Sequence, residues 1–313
     1  MSPAVRPLKI GTRGSPLALV QAHETRARLA KAHGLAEDVF EVLVIKTSGD
    51  DASLIDADRP LKEIGNKGLF TKEIEEALLD GSIDIAVHSM KDMPTLLPDG
   101  LEIPCLLPRE DVRDAFISHR HAGIDALPKG AVVGSSSLRR KAQLLHRRQD
   151  LRVVEFRGNV QTRLRKLEEG VAEATFLAAA GLRRLGQEDL ADNAVSVDEM
   201  LPAVAQGAIG IECRSGDQVA LAMLASIHHA DTGIQLAAER AFLAGLDGSC
   251  RTPIAGLAEL EGDQMWFRGE IVRPDGSERH ATERRGLASD GAAMGADAAA
   301  ELRALAAPDF FVA

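Results

Sequence analysis

Three short stretches set hydroxyl or amide groups beside guanidinium groups where a strand runs into a helix. They are IGTRGSPLA, with Arg13 and Ser15; VVGSSSLRR, with Ser135, Ser136, Ser137, Arg139 and Arg140; and EFRGNVQTRL, with Arg157, Asn159 and Arg163. Free backbone N–H groups at a helix N-terminus already favour anions. The first turn of a helix prefers Asp or Glu, so Arg139 and Arg140 stand against the local dipole. Arginine offers a planar fork that matches carboxylate or phosphate. Capping and a solvated basic face explain any one of these turns. Three of them in a chain of net charge -10 point to one cleft that binds a ligand with several anionic groups.

Neither G-x-x-x-x-G-K-[ST] nor G-x-G-x-x-G after a strand is present, so a nucleotide is weakly supported and a polycarboxylate fits the arginines equally well. Asp92, in IDIAVHSMKDMPT, follows an apolar strand and precedes Pro94. It reads either as an Asx-turn residue or as a carboxylate that faces the cleft, exchanging a proton or stabilising a cationic intermediate. Cys250 lies in the polar loop LDGSCRTPIAG, where Arg251 favours thiolate. Cys105 and Cys213 sit in apolar stretches and read as structural. His228 and His229 have no partners at metal-ligand spacing, and no metal site is expected.

The elements that must carry these residues alternate. LKIGT, VFEVLVIKT and IDIAVHS read as strands, with helices at SPLALVQAHETRARLAKAHG and FTKEIEEALLDG. Ser15 suits the N-cap, Pro16 the first helical position and Gly34 the stop. TSGDDASLIDADRPLKEIGNKG is polar and long enough to be a functional lid. A second α/β unit begins near residue 105, with strands DAFIS, AVVGS, LRVVEF and ATFLAAA and helices SLRRKAQLLHRR, NVQTRLRKLEEG and AAGLRRLG. PAVAQGAIGIECR leads into another strand, followed by helices over 217–229 and TGIQLAAERAFLAGLDG. MWFRGEIVRPDGSERHATERRG reads as a hairpin around Pro-Asp-Gly, and an Ala-rich helix closes the chain. The pattern predicts two α/β domains plus a small α+β domain.

The 313-residue length suits more than one domain. Aromatic content of 3%, with no tyrosine, disfavours an RNA reader built on stacking. The acidic balance argues against broad binding to nucleic acid or anionic membranes. With three widely spaced cysteines and no C-x-x-C, a disulfide framework is not expected. No run has signal-peptide or membrane-spanning character, which predicts a cytoplasmic protein.

In order, IGTRGSPLALVQA, HSMKDMP, VGSSSLRR, RGNVQTRL, AAGLRRLG, PAVAQGAIGIECR and GSCRTPIAG resemble the motifs of the porphobilinogen deaminase family, from about Lys9 to the C-terminal hairpin. The resemblance implies two domains like the lobes of periplasmic binding proteins and a small α+β domain. The corresponding division is 1–104 with 203–226, then 105–202, then 227–313. It implies a dipyrromethane cofactor on a thioether to Cys250, and stepwise addition of four porphobilinogen units with loss of ammonia before hydroxymethylbilane is released. Asp92 matches the catalytic aspartate. Lys91, Ser135, Ser136, Ser137, Arg139, Arg140 and Arg163 match cofactor-holding positions, and Arg13, Ser15, Gln21, Arg157 and Arg184 match substrate or chain positions. Lys67 and Phe70 match lid-proximal residues and Gln206 the hinge-side glutamine. Glu63 stands where a lysine is common, with Lys62 beside it, and Ala205 where glycine is common.

On this reading Arg139 and Arg140 are half of an anion site whose partner, the cofactor's acetate and propionate groups, is absent from the polypeptide. Porphobilinogen is the expected small-molecule partner, and a monomer the expected state. A two-lobed solute-binding protein leaves Cys250 and the third domain unexplained. A transcription regulator would need a helix-turn-helix ahead of LKIGT.

Overall fold

The structure, a computed structural model, describes residues 7–47, 71–248 and 252–311. These fall into two compact units, one of 7–47, 71–110 and 207–233, the other of 111–206, 234–248 and 252–311.

The first unit is built on a mixed sheet of β1 (Lys9–Thr12), β2 (Glu41–Val44), β3 (Ile85–Ser89), β4 (Leu101–Leu106) and β9 (Ile209–Arg214). Its order is β2-β1-β3-β9-β4. β1 runs parallel to β2 and β3, whereas β9 is antiparallel to β3 and β4. Side chains of a strand alternate between faces. Ile85 and Val87 accordingly join a core with Ile10, Leu29, Ile211 and Leu224. Ala86 turns the other way, onto Ile74, Leu78 and Leu101. Helix α1 (Pro16–His33) starts and stops as its sequence predicts: Ser15 Oγ accepts from Ala18 N at 3.3 Å, and Gly34 ends it at φ 64°. Helix α2 spans Lys72–Leu79, and α7 spans Gln218–Ala225.

The second unit repeats that plan. Its sheet holds β5 (Asp114–Ile117), β6 (Val132–Gly134), β7 (Arg152–Val154) and β8 (Ala174–Ala178) in the order β5-β8-β6-β7. Here too the first strand of the parallel set, β6, lies between the next two, and an antiparallel strand flanks the third. Helices α3 (Leu138–Arg147), α4 (Val160–Glu168), α5 (Ala179–Arg184) and α6 (Glu188–Ala191) follow their strands. Phe116 and Phe176 meet edge to face at 5.6 Å on one side, and Phe156, Leu177 and Leu182 pack on the other. A separate antiparallel sheet, β10 (Ile254–Glu261), β11 (Gln264–Val272) and β12 (Arg279–Leu287), with α8 (Ala230–Gly245) and α9 (Gly291–Leu305), makes the small α+β part. The Pro-Asp-Gly turn lies against α3: Gly276 is at φ 77°, and a Cβ there would come 2.5 Å from His146 N.

Three elements differ from expectation. β4 carries Pro104 and an irregular register between Glu102 and Cys105, so it reads poorly as a strand; it is tolerated at the sheet edge. β10, IAGLAELE, has one β-branched residue, and its pairing with β11 rather than propensity makes it a strand. The helix expected over 217–229 is α7 alone. His229 N donates instead to Leu106 O at 2.8 Å, which holds the chain on β4 before α8 begins.

Glu239 of α8 is fully buried and accepts from Ala205 N at 2.6 Å and Ala258 N at 2.8 Å, tying the helix to β10 and to the segment ahead of β9. Glu239→Ala strands both donors, and we expect a loss of about 3 kcal/mol in urea unfolding. An unchanged urea midpoint would show that these donors find other acceptors.

Candidate active site

In parallel α/β sheets ligands bind beyond the strand C-termini, where neighbouring connections leave in opposite directions. β1 has β2 on one side and β3 on the other, so the first unit has such a point at the ends of β1 and β3. The turn after β1 supplies Arg13 and Ser15, α1 supplies Gln21, and the 3-10 turn Met90–Asp92 after β3 supplies Asp92. These four residues, from two separate motifs, line one cavity of about 90 Å³ together with Thr71, His88 and Ser89. Whole ligands usually occupy about 300–1,000 Å³, so this cavity suits one polar arm of a larger molecule. Gln21 is buried and hydrogen-bonds Ser89 Oγ at 2.9 Å. Asp92 is exposed and lines this cavity. Lys91 beside it is half-buried.

The second unit gathers its candidates at the ends of β6 and β7. Ser137 caps α3 by accepting from Arg140 N, Ser135 Oγ accepts from Ser137 N at 3.2 Å, and Ser136 Oγ accepts from Phe156 N at 2.9 Å. Asn159 caps α4 through Thr162 N at 2.9 Å. Arg157 is buried, and Arg163 and Arg184 are half-buried.

Arg139 and Arg140 require a correction. Their counter-charge is in the polypeptide: Asp114 Oδ2 accepts from Arg139 Nη2, and Asp114 Oδ1 from Arg140 Nη2, each at 2.7 Å. Arg139 Nη1 also donates to Leu201 O and Arg140 Nη1 to Phe176 O. The two guanidiniums are 5% exposed and Asp114 is 0% exposed. Burial by itself would raise the Asp114 carboxyl, but the charges of Arg139 and Arg140 outweigh it and hold the group well below the usual carboxylate range. Gln206, the expected hinge-side residue, donates from Nε2 to Asp114 Oδ1 at 2.9 Å and to Val112 O at 2.7 Å. Each arginine keeps its buried Nε–H without an acceptor among the described residues. That donor pair, beside the N-terminus of α3, still fits an anionic group.

Arg147 and Arg148, at the far end of α3, pair with Asp125, Glu199 and Asp150. A larger groove of about 760 Å³ lies beside that end, against β11 and β12. Its arginines Arg147, Arg268, Arg279 and Arg284 are already matched by Glu199, Asp198, Glu270 and Asp297. It offers no uncompensated positive charge to a polycarboxylate.

Cys105 and Cys213 are buried free thiols, both pushed up to about 12, chiefly by burial, as a structural reading requires. His228 Nδ1 accepts from Leu106 N at 3.1 Å, and no metal-binding cluster occurs among the described residues. Cys250, Lys67, Phe70 and the polar stretch expected to form a lid lie outside the described residues. Asp114, Glu212 and His88 were not picked out from the sequence. A visible signal existed: each is a polar or charged residue inside a short apolar strand, DAFI, IGIECR and IAVHS.

The sheet topology defines an α/β protein, with a polar cavity at the ends of β1 and β3. Residues 8–222 match "Porphobilinogen deaminase, dipyromethane cofactor binding domain", and residues 234–304 match "Porphobilinogen deaminase, C-terminal domain". The chain belongs to the porphobilinogen deaminase family. It is 67% identical to the porphobilinogen deaminase of Paracoccus denitrificans, covering 97% of this chain and 96% of that protein. It is 57% identical to the enzyme of Nitrobacter hamburgensis, covering 96% and 94%. It is also 57% identical to the chloroplastic one of Oryza sativa subsp. japonica, covering 97% and 85%. A periplasmic substrate-binding protein of an ABC transporter from Coxiella burnetii aligns at TM-score 0.43 and 15% identity, over 71% of this chain and 92% of that one. At that score the likeness carries no weight beside the sheet topology. No helix among the described residues is long and apolar enough to cross a membrane.

Breaking a buried ion pair by removing one partner costs about 3–5 kcal/mol. We expect Asp114→Asn to lose that much in denaturant unfolding near neutral pH. Because the carboxyl is depressed, its contribution is full above the ordinary carboxylate range and fades only as pH falls toward the lowered value. The variant lacks that acid-side loss. Parallel stability–pH curves for parent and variant would contradict the assignment.

Proposed function

We propose that the chain catalyses stepwise deaminative polymerisation of four porphobilinogen molecules on a covalent dipyrromethane cofactor and releases hydroxymethylbilane, a transferase step that feeds tetrapyrrole biosynthesis. Membership of the family supports the substrate and the cofactor. The observation that carries the reading is the cavity at the ends of β1 and β3, where Arg13, Ser15, Gln21 and Asp92 meet.

Dipyrromethane, when bound by a thioether to Cys250, supplies the nucleophilic pyrrole carbon to which each new unit is joined. The residues described fit such a group. Its acetates and propionates find N–H groups at the start of α3, the hydroxyls of Ser135, Ser136 and Ser137, and the Nε–H groups of Arg139 and Arg140, with Lys91 and Arg163 as further cations. Arg139 and Arg140 thereby take a second role beside their pairing with Asp114. Arg13, Ser15, Gln21, Arg157 and Arg184 hold the carboxylates of the substrate and growing chain. The Asp92 carboxylate accepts pyrrole N–H groups and offsets the positive charge that develops as ammonia departs.

Lys67 and Phe70 are assigned to the lid side, and Gln206 to the hinge, on the family resemblance. The same holds for the three-domain division 1–104 with 203–226, 105–202 and 227–313, for a cytoplasmic location and for a monomer. The C-terminal match beginning at 234 supports a separate third domain.

Intact-mass measurement of the denatured active protein is expected to show a covalent dipyrrole adduct that Cys250→Ser lacks. An unmodified mass in active protein overturns the cofactor assignment. Asp92→Asn is expected to keep fold and adduct while losing turnover by a factor of about 100 or more, since the carboxylate charge is gone. Near-parental turnover would return Asp92 to a structural role.

A further inference from the structure

Behind the Asp92 cavity lies a buried polar set that no motif reading used. On β3, His88 shares its face with Ala86; on β9, Glu212 pairs with Ala86, and Gly210 with His88. His88 and Glu212 are therefore diagonal neighbours on one face of the sheet. The His88 Nε2–H donates to Glu212 Oε2 at 2.9 Å, with side chains 4% and 0% exposed. Helix α2 covers this face and brings Glu75, 8% exposed. Burial pushes the Glu75 carboxyl up, and the charge of Glu212 adds to the rise. Oε1 of Glu75 and Oε1 of Glu212 are both buried without hydrogen-bond partners among the described residues.

Burying carboxyl groups in this way is costly, because neither is solvated. A hydrophobic pair would fill this face at lower cost, and the neighbouring positions Ile74, Leu78 and Ala86 are apolar. The polar set sits at the one end of the face that touches the cavity: His88 lines it with Asp92, four residues further along the same strand and turn.

We propose that His88 and Glu212 are positioning residues for Asp92. Their hydrogen bond fixes the wall of the Arg13–Ser15–Gln21–Asp92 cavity, which His88 lines. The proposal rests on the reading of Asp92 as the catalytic carboxylate. The charged groups around the set are Glu75 and Glu76 on α2, Glu212 on β9, His88 on β3, and Asp92 with Arg13 at the cavity.

His88→Ala is expected to lower kcat about 10- to 100-fold with KM nearly unchanged, since small misplacement of a reacting group costs that much. His88→Gln keeps an N–H donor and recovers part of the loss; Glu212→Gln keeps the acceptor and gives a milder defect.

The experiment measures kcat and KM on cofactor-loaded protein, with adduct content checked by intact mass for every variant. Parental kcat in His88→Ala overturns the proposal. So does a defect in His88→Ala that His88→Gln leaves unrelieved. Should His88→Ala fail to fold, His88→Gln and Glu212→Gln decide: parental kcat in both overturns the proposal. Asp92→Asn in the same series separates the two claims: retained turnover there defeats the catalytic reading of Asp92, whereas lost turnover there with parental kcat in the others defeats only the positioning role.

Discussion

The second unit is organised around one carboxylate. Asp114, fully buried at the start of β5, takes charge-assisted hydrogen bonds from Arg139 and Arg140 and an amide bond from Gln206. An isolated ion at that depth would cost far more than a domain's net stability. The three charged groups are therefore tolerable only together. Their bonding joins the first residues of the unit, the first turn of α3, and the segment by which the chain leaves the unit for β9. Remaining guanidinium donors reach Leu201 O and Phe176 O, so the node also grips the backbone on both sides.

That arrangement changes what the paired arginines do. A basic first turn opposes the helix dipole, and a free anion site would answer the opposition only while a ligand is bound. Asp114 answers it within the fold. The Nε–H of each arginine is left buried without an acceptor among the described residues, and both guanidiniums are held in place rather than left as mobile charges.

The first unit solves a related problem with weaker groups. Its site lies at the ends of β1 and β3, where topology leaves a gap, and Gln21 with Ser89 closes one side of it. His88, held by Glu212, lines another. In both units apolar clusters of Ile, Val, Leu and Phe pack against the sheets, and the buried charged groups Asp114 and Glu212 are exceptions within them.

Local chemistry made much of this legible in advance. Ser15, Pro16 and Gly34 bound α1, and Ser137 and Asn159 cap α3 and α4, because capping depends on residues within one turn. The Pro-Asp-Gly hairpin followed the same way, and strand-to-turn patterns drew attention to Arg13, Ser15 and Asp92, whereas Gln21 came only with the family resemblance. β4 and β10 were not legible, because an edge strand with a proline and an Ala-rich strand exist through pairing with neighbours. Nor was the partner of Arg139 and Arg140: Asp114 is about 25 residues earlier, and sequence shows charge but not which distant strand end a helix meets. By itself the sequence determined the caps, the periodicities and the residue types of the site. The tertiary structure decided which charges face each other, because burial sets the strength of a charge's interactions and burial is a property of the packed chain.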